Sequence, residues 1–405
     1  MLPPVLEIYL VWHPRDAAGA EIVAQLDAHF HGDLFTGLIG GAVEVYARSE
    51  GWLRPGGAPR QIPVPGDPPP NGVAQAQYVV IVPVLDFRLA QAAADRDGEW
   101  YEYLAAIRGA QYDAPDRVAV FPVLADLRAD EGALGELFGE LVYIVVNGVT
   151  GETPQDRRRR DLVQSIAQFV GGDAGRRLTV FISHTRRTAE GDGGQPQEIT
   201  ERVRAVIAQT RLADFFDAQA LGPGRDYSEE IARAAASSAL LALRSDHYAS
   251  RDWCQREVVT AKTAGMPVVI LDALVRGDPR GSFLMDHAPR VPVDGDDGGI
   301  WAGLNLLVDE WLKRLLWRRQ HELAERAAPG LGVGWWAPHA PEPTTLAIWL
   351  ARAYPAGDRP ASLRILHPDP PLGGPEREVL ARVAALGGIA TLEILTPRQL
   401  AARGG

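Results

Sequence analysis

Cysteine and lysine are almost absent from this sequence, which has one Cys, at position 254, and two Lys, at positions 262 and 313, among 405 residues. A single cysteine excludes an intramolecular disulfide, and no Cys/His cluster shows the spacing of a zinc site. No apolar run approaches the roughly 18 residues that a membrane span requires. We therefore expect a soluble protein whose fold depends on its hydrophobic cores.

Positive charge is also in deficit, since 41 Lys and Arg face 52 Asp and Glu, for a net charge of −11. This balance disfavours nucleic-acid binding, because phosphate affinity comes largely from clustered basic residues. The one basic block, Arg157 to Arg160, is interpreted as the solvated start of a helix. The N-terminus lacks a basic segment and its apolar run is broken by Glu7, so no secretory signal is expected and a cytoplasmic location is predicted.

Apolar periodicity predicts two successive stretches in which strands and helices alternate. The first has strands at 6–12, 42–46, 77–85, 117–123 and 141–146, with helices at 18–30, 99–108, 133–140 and 157–170. The second has strands at 178–183, 213–216, 238–243 and 267–271, with helices at 198–209, 228–236, 254–264 and 301–326. Such alternation favours parallel sheets covered by helices on both faces.

Three domains are predicted from this organisation, at residues 1–170, 176–328 and 340–405. The first two resemble each other, since Ile8–His13 matches Val180–His184 and Val79–Pro83 matches Ala239–Leu243, which indicates an internal duplication. The last is a small α/β region with strands at 362–366 and 390–395 and helices at 375–385 and from 397. A Pro/Gly-rich stretch at 48–71 is predicted to be a long surface loop.

Polar segments follow three strands of the second stretch, where a doubly wound sheet places its ligand crevice. They are Ser183–Arg187, Asp217–Tyr227 and Ser245–Glu257. In a helix Trp253 and Glu257 are four residues apart and share a face. We therefore expect an aromatic surface and a carboxylate in one crevice, an arrangement that suits a nucleoside.

These segments resemble, in order and spacing, the motifs of a bacterial TIR (Toll/interleukin-1 receptor) domain. Val180–His184 resembles its first strand, Asp217–Gly224 its BB loop, and Ser245–Glu257 its Tyr-x-Ser-x-x-Trp-Cys-x-x-Glu signature. The resemblance covers about 150 of the 405 residues, with a fainter match over 5–170. It implies an α/β, flavodoxin-like parallel sheet with helices on both faces (the TIR fold), in two copies.

The resemblance also implies an activity, because enzymes of this family cleave the nicotinamide–ribose bond of NAD. It assigns the catalytic carboxylate to Glu257 and the NAD pocket to Ser183, His184, Arg186, Asp217, Gly224 and Trp253. NAD is then the substrate, and neither a cofactor nor a metal is expected. Many family members act in antiphage defence after assembling through TIR–TIR contacts, so a homo-oligomer and a partner from a defence system are expected.

The chemistry fits one carboxylate, because the nicotinamide of NAD is already a cationic leaving group and needs no general acid. Glu257 alone can stabilise the oxocarbenium-like ribose in a water-poor cleft. Cys254 is not favoured as a nucleophile, since a free cysteine is usually just buried. In the first repeat the position four after Trp100 is Leu104, with Glu102 nearby, so that repeat is expected to be catalytically silent.

Two other hypotheses stay open on the sequence alone. The chain could be a non-catalytic scaffold that assembles through Asp217–Gly224, or a sensor that binds a nucleotide near Trp12 to Arg15. A helical glutamate such as Glu257 is by itself most often a solvated surface residue. Hydrolysis to ADP-ribose and cyclisation share the same bond cleavage, and the sequence leaves both open.

Overall fold

The computed structural model describes residues 4–32, 34–35, 43–65, 75–145, 151–172, 177–185, 195–215, 233–278, 281–327, 329–355 and 358–403. The chain divides into two compact units. The N-terminal unit comprises residues 1–149, 153–174 and 318–328, and the C-terminal unit comprises 150–152, 175–317 and 329–405.

The N-terminal unit is built on a parallel sheet of the strands β1 (Leu6–Val11), β2 (Val43–Arg48), β3 (Tyr78–Leu85), β4 (Val118–Val120), β5 (Val123–Leu124) and β6 (Ile144–Val145). The strand order is β2-β1-β3-β5-β6, with β4 also paired to β3. Its helices are Ala17–Phe30, Phe87–Ala92, Glu99–Asp113, Gly132–Phe138 and Pro154–Gly171. All eight residues of β3 are buried, as expected for a strand covered on both faces.

The strand predicted at 117–123 is two short strands, β4 and β5, in the structure. The break falls at Phe121 and Pro122, between the residues that pair with the first and the second half of β3. Proline has no N–H to donate to a sheet ladder. Pro122 thus explains the interruption, while its carbonyl still accepts from the N–H of Ile144 at 2.9 Å.

The prediction that Arg157 to Arg160 form a solvated helix start is wrong. The helix begins earlier, with Thr153 as its N-cap, and Arg158 and Arg160 are only 6% and 2% exposed. Arg158 donates to Gln25 Oε1 at 3.2 Å, and Arg160 lies 3.4 Å from the Asp161 carboxylate. The apolar stems of these arginines are thus buried while polar partners hold their guanidinium groups.

The C-terminal unit contains a second parallel sheet of the strands β7 (Thr179–Ser183), β8 (Ala213–Phe215), β9 (Ala239–Arg244), β10 (Val268–Asp272) and β11 (Arg290–Pro292). The strand order is β11-β10-β9-β7-β8. Its helices are Gln195–Ile207, a helical segment at 233–237, Asp252–Thr263 and the first part of Gly298–Ala327. Read in chain order, both sheets follow the 2-1-3-4-5 arrangement of flavodoxin-like folds. The predicted α/β class with parallel sheets is confirmed.

A third parallel sheet also belongs to the C-terminal unit. It consists of β12 (Trp335–Trp336), β13 (Ser362–Leu366) and β14 (Thr391–Leu395), with helices Pro343–Ala353, Gly374–Leu386 and Pro397–Ala402. The Pro343–Ala353 helix was not predicted, although its start carries recognisable signals. Pro343 occupies the first turn, and the Thr345 hydroxyl accepts from the N–H of Glu342 at 2.9 Å.

In both large sheets the strand order reverses between the first and the third strand, so these two strands mark the switch point where such folds bind ligands. In the N-terminal unit they are β1 and β3, and in the C-terminal unit they are β7 and β9. Throughout the described ranges, no helix has the length and apolar character to cross a membrane.

Candidate functional site

The candidate site lies at the switch point of the C-terminal unit. β7 ends at Ser183, which pairs in register with Ala242 of β9, and β9 ends two residues later at Arg244. The segments that leave these two strands therefore emerge side by side at the carboxyl edge of the sheet. The Thr185 and Ser245 hydroxyls lie 3.1 Å apart and join the two segments directly.

The Asp252–Thr263 helix, here called the Glu257 helix, carries the candidates Trp253 and Glu257 together with Cys254. Cys254 and Glu257 are buried, and the half-buried Trp253 packs against the hydrophobic cluster that includes Phe181. The helix starts two residues before the predicted position, so Trp253 lies inside it as the spacing argument requires. The Cys254 thiol lies 3.8 Å from the carbonyl oxygen of His184, which links the helix to the segment after β7.

A buried hydrogen-bond chain centres on Ser183. The Ser183 hydroxyl donates to Glu257 Oε2 and lies 2.5 Å from the Tyr248 hydroxyl. Because serine has one proton to donate, Ser183 accepts a hydrogen bond from the Tyr248 hydroxyl. The chain therefore runs from Tyr248 through Ser183 to the Glu257 carboxylate. Ser183 and Tyr248 are 1% exposed and Glu257 is 6% exposed.

Burial sets the protonation of the two weak acids beside the carboxylate. It raises the pKa of Tyr248 well above its ordinary value, with the Cys254 thiol and Glu257 adding to the effect. It raises the pKa of Cys254 to about 12, again with a contribution from Glu257. Both groups are therefore neutral near neutral pH. Tyr248 stays a hydrogen-bond donor, and Cys254 is not a thiolate nucleophile.

Of the predicted site residues, the structure joins Ser183 to Glu257 and places the His184 carbonyl beside the Glu257 helix, while Trp253 lies on that helix and packs against the hydrophobic cluster. Arg186, Asp217 and Gly224 lie outside the described residues. Tyr248 was missed as a site residue, although it belongs to the motif that carries the TIR resemblance. Among the described residues, no group of three His, Cys, Asp or Glu could hold a metal ion.

The switch point of the N-terminal unit has a different character. β1 ends at Val11, and the Glu99–Asp113 helix, here called the Leu104 helix, carries Leu104. Both side chains are fully buried in one hydrophobic cluster. The nearby His13 is buried, its ring lies 5.5 Å from that of Trp100, and its Nδ1 accepts from the N–H of Arg15. An apolar pair thus occupies the place that a serine and a glutamate take in the other unit.

No protein-family model matches the chain, and the curated proteins contain no match. The assignment of a function therefore rests on the residues and their arrangement.

Proposed function

We propose that the C-terminal unit contains a TIR domain that cleaves the nicotinamide–ribose bond of NAD, with Glu257 as its catalytic residue. One observation carries this proposal: the Glu257 carboxylate is buried at the switch point of a 2-1-3-4-5 sheet and is held there by Ser183. The ordered motifs from Ser183 to Glu257 are its second support.

A buried carboxylate demands a reason, because removing an ionised group from water costs several kcal/mol unless it is paired and hydrogen-bonded. A solvated helix residue would not need the Ser183–Tyr248 chain. Residues that break the apolar pattern of a core at a ligand-binding edge are expected at functional sites. The burial of Glu257 therefore favours a role in binding or chemistry over that of a solvated surface residue.

The reaction needs little from the protein beyond this carboxylate. As the C1′–N bond breaks, its electron pair goes to the nicotinamide nitrogen, which leaves neutral nicotinamide and an oxocarbenium-like ribose. The Glu257 carboxylate stabilises that positive charge, and its low-dielectric surroundings strengthen the effect. Water that attacks C1′ and loses a proton gives ADP-ribose, whereas attack by the adenine of the same molecule gives a cyclic isomer.

The remaining predicted residues receive binding roles in this proposal. Trp253 offers an aromatic surface one helical turn before Glu257, and His184 lies in the segment that follows Ser183. Arg186, Asp217 and Gly224 are proposed to complete the NAD pocket, as the resemblance implies. No metal or cofactor enters the proposed step.

We extend the proposal to the whole chain on the strength of its two matching sheets. The N-terminal unit is then a degenerate TIR-like repeat in which Leu104 replaces the catalytic glutamate. Assembly through TIR–TIR contacts, a partner from a bacterial antiphage defence system and a cytoplasmic location stay predictions from the resemblance.

The test is nicotinamide release from NAD by purified full-length protein, at high concentration with a crowding agent that permits assembly. Glu257→Gln and Glu257→Ala are expected to lower the rate at least ~100-fold, the scale of losing a preorganised electrostatic group. Glu102→Gln, which changes a glutamate of the silent repeat, is the matched control and should keep wild-type activity. Product analysis then separates hydrolysis from cyclisation.

A wild-type protein that stays inert while assembled would overturn the enzyme proposal. The 6% exposure of Glu257 favours the scaffold hypothesis in that case, because a carboxylate enclosed by Ser183 and Tyr248 would then serve packing alone. Inert protein that binds a nucleotide through the N-terminal unit would instead support the sensor hypothesis.

A further inference from the structure

The Glu257 helix is anchored by a buried ion pair near its C-terminal end. Lys262 Nζ lies 2.6 Å from Glu342 Oε1, and the two side chains are 6% and 5% exposed. Lys262 also donates to the carbonyl oxygen of Asp286. Burial lowers the pKa of Lys262 and raises that of Glu342, and the charge of each opposes the shift of the other. The pair thus connects the helix to the segment between β12 and the Pro343–Ala353 helix.

That segment, residues 337–342, makes further contacts with the same end of the helix and is called the clasp below. The ring of His339 lies 3.2 Å from the carbonyl oxygen of Lys262. Gly265, just past the helix, has a φ of 72°, and a Cβ there would meet Pro338 at 3.1 Å. The left-handed backbone and the close approach of Pro338 both disfavour a side chain at Gly265.

Glu257 and Lys262 face different sides of their helix. Five residues at 100° each turn the chain by about 140° beyond one full turn, and the rise between them is about 7.5 Å. Glu257 accordingly reaches Ser183 at the sheet edge, while Lys262 reaches Glu342. The helix is held from both sides, by the hydrogen-bond chain and by the clasp.

We propose that Lys262 is a positioning residue that acts through its pairing with Glu342, so that the third sheet controls the placement of Glu257. The inference rests on the proposed function for its catalytic consequence. A shift of about 1 Å in a catalytic group can cost ~100-fold in rate. A partner that loosens or tightens the clasp would change the activity of the site without touching it.

Cys254 provides a readout that does not depend on activity. It is the only cysteine of the chain, it is buried, and it lies one turn before Glu257 on the same helix. Reaction of its thiol with a disulfide reagent such as DTNB therefore reports opening of the helix away from the sheet edge. If labelling occurs through local opening, its rate does not change when a low concentration of urea is added. If it requires global unfolding, its rate rises with the urea concentration.

The experiment compares full-length wild type with Lys262→Met, Glu342→Gln and the double variant Lys262→Met/Glu342→Gln. Lys313→Met is the matched control. Lys313 is the only other lysine, and it pairs at 3.6 Å with Glu310 within the Gly298–Ala327 helix. Lys262→Met is expected to raise the labelling rate of Cys254 about tenfold at low urea. It should also lower kcat for nicotinamide release about tenfold, with KM changed less than about threefold. The double variant should have a Cys254 labelling rate and a kcat closer to those of wild type, because it leaves no unpaired buried charge.

The proposal is overturned if Cys254 in Lys262→Met is labelled only through global unfolding, or no faster than in Lys313→Met. A wild-type protein without NAD cleavage removes the proposed function but leaves the labelling result to decide whether the clasp positions the helix. Normal labelling with a lowered kcat would also overturn it, because the loss of rate would then have another cause.

Discussion

The two large sheets share a strand order but differ in chemistry at the same place. Val11 and Ser183 are the last residues of the first strands, and Leu104 and Glu257 are each the sixth residue of the helix that leads to the fourth strand. The N-terminal unit therefore has Val and Leu where the C-terminal unit has Ser and Glu. A well-packed apolar pair stabilises a fold at no electrostatic cost, whereas a buried carboxylate is retained at such a cost.

The N-terminal unit also has a loop segment that packs on its Leu104 helix. In the N-terminal unit, part of the predicted Pro/Gly-rich loop lies on the start of the Leu104 helix. Trp100 Nε1 donates to the carbonyl oxygen of Gly56 at 3.2 Å, and Arg54 pairs with Glu99 at 3.0 Å. Within the described residues, this part of the predicted loop is thus packed against the helix.

The largest effect is expected when the buried polar residues of the C-terminal unit are replaced by apolar residues like those of the N-terminal unit. In Ser183→Val/Tyr248→Phe/Glu257→Leu, the buried chain becomes apolar and no hydroxyl is left without a partner. We expect nicotinamide release to vanish while the free energy of unfolding stays level or rises by about 1–3 kcal/mol. Urea denaturation and the release assay check the two parts.

Glu257→Leu alone is the control for this triple variant. It removes the carboxylate and leaves the Ser183 hydroxyl without the acceptor that it has in wild type. It should be inactive and less stable than the triple variant. A triple variant that loses several kcal/mol relative to wild type would show that the chain is structural, contrary to the proposal.

The reverse exchange tests the apolar side of the comparison. Leu104→Glu places a carboxylate in the fully buried cluster around Val11, and we expect a loss of about 3–5 kcal/mol in the free energy of unfolding. Leu104→Met, which conserves volume, should cost less than about 1.5 kcal/mol. Adding Val11→Ser to Leu104→Glu supplies a donor and should recover about 1 kcal/mol. Equal stability of Leu104→Glu and Leu104→Met would refute the assigned environment.

Local pattern was enough to predict most of the elements that build these sheets. Buried strands such as β3 are continuous apolar runs, and the Glu257 helix has a clear period, so both follow from neighbouring residues. Pro122 also follows from local pattern, because a proline inside an apolar run indicates an interruption of the strand. The Pro343–Ala353 helix likewise carried its cap signals in the sequence.

The burial of polar side chains could not be predicted from local sequence pattern. Ser183 and Glu257 are 74 residues apart in the chain and meet only in the folded unit. The motif therefore indicates Glu257 but not the residue that donates a hydrogen bond to it. Arg160 was predicted to be solvated for the same reason, since a run of charges reveals nothing about the packing around its helix. The family motif identified the catalytic candidate, and the contact with Ser183 came only from the structure.

Ser183→Ala tests the contact that sets the two units apart. The change removes the donor to Glu257 and leaves the Tyr248 hydroxyl without its buried partner, so the free energy of unfolding should fall by about 1–3 kcal/mol. We expect kcat for nicotinamide release to fall about tenfold, because one hydrogen bond no longer orients the carboxylate. Tyr248→Phe keeps the Ser183 contact and should have a smaller effect on both. A kcat that is insensitive to Ser183→Ala would remove Ser183 from the site.

Cys254→Ala should have the smallest effect, with nicotinamide release within about threefold of wild type, because a thiol with a pKa of about 12 supplies no thiolate near neutral pH. The substitution should instead change how stability depends on pH. In wild type the folded thiol stays protonated while the unfolded thiol ionises near its ordinary value of 9.0, so the stability contributed by Cys254 falls as pH rises from about 9 towards 12. Urea denaturation at pH 8 and pH 10.5 should therefore show a shallower alkaline loss for Cys254→Ala than for wild type. Loss of activity in Cys254→Ala but not in Glu257→Gln would move the catalytic role from the carboxylate to the thiol.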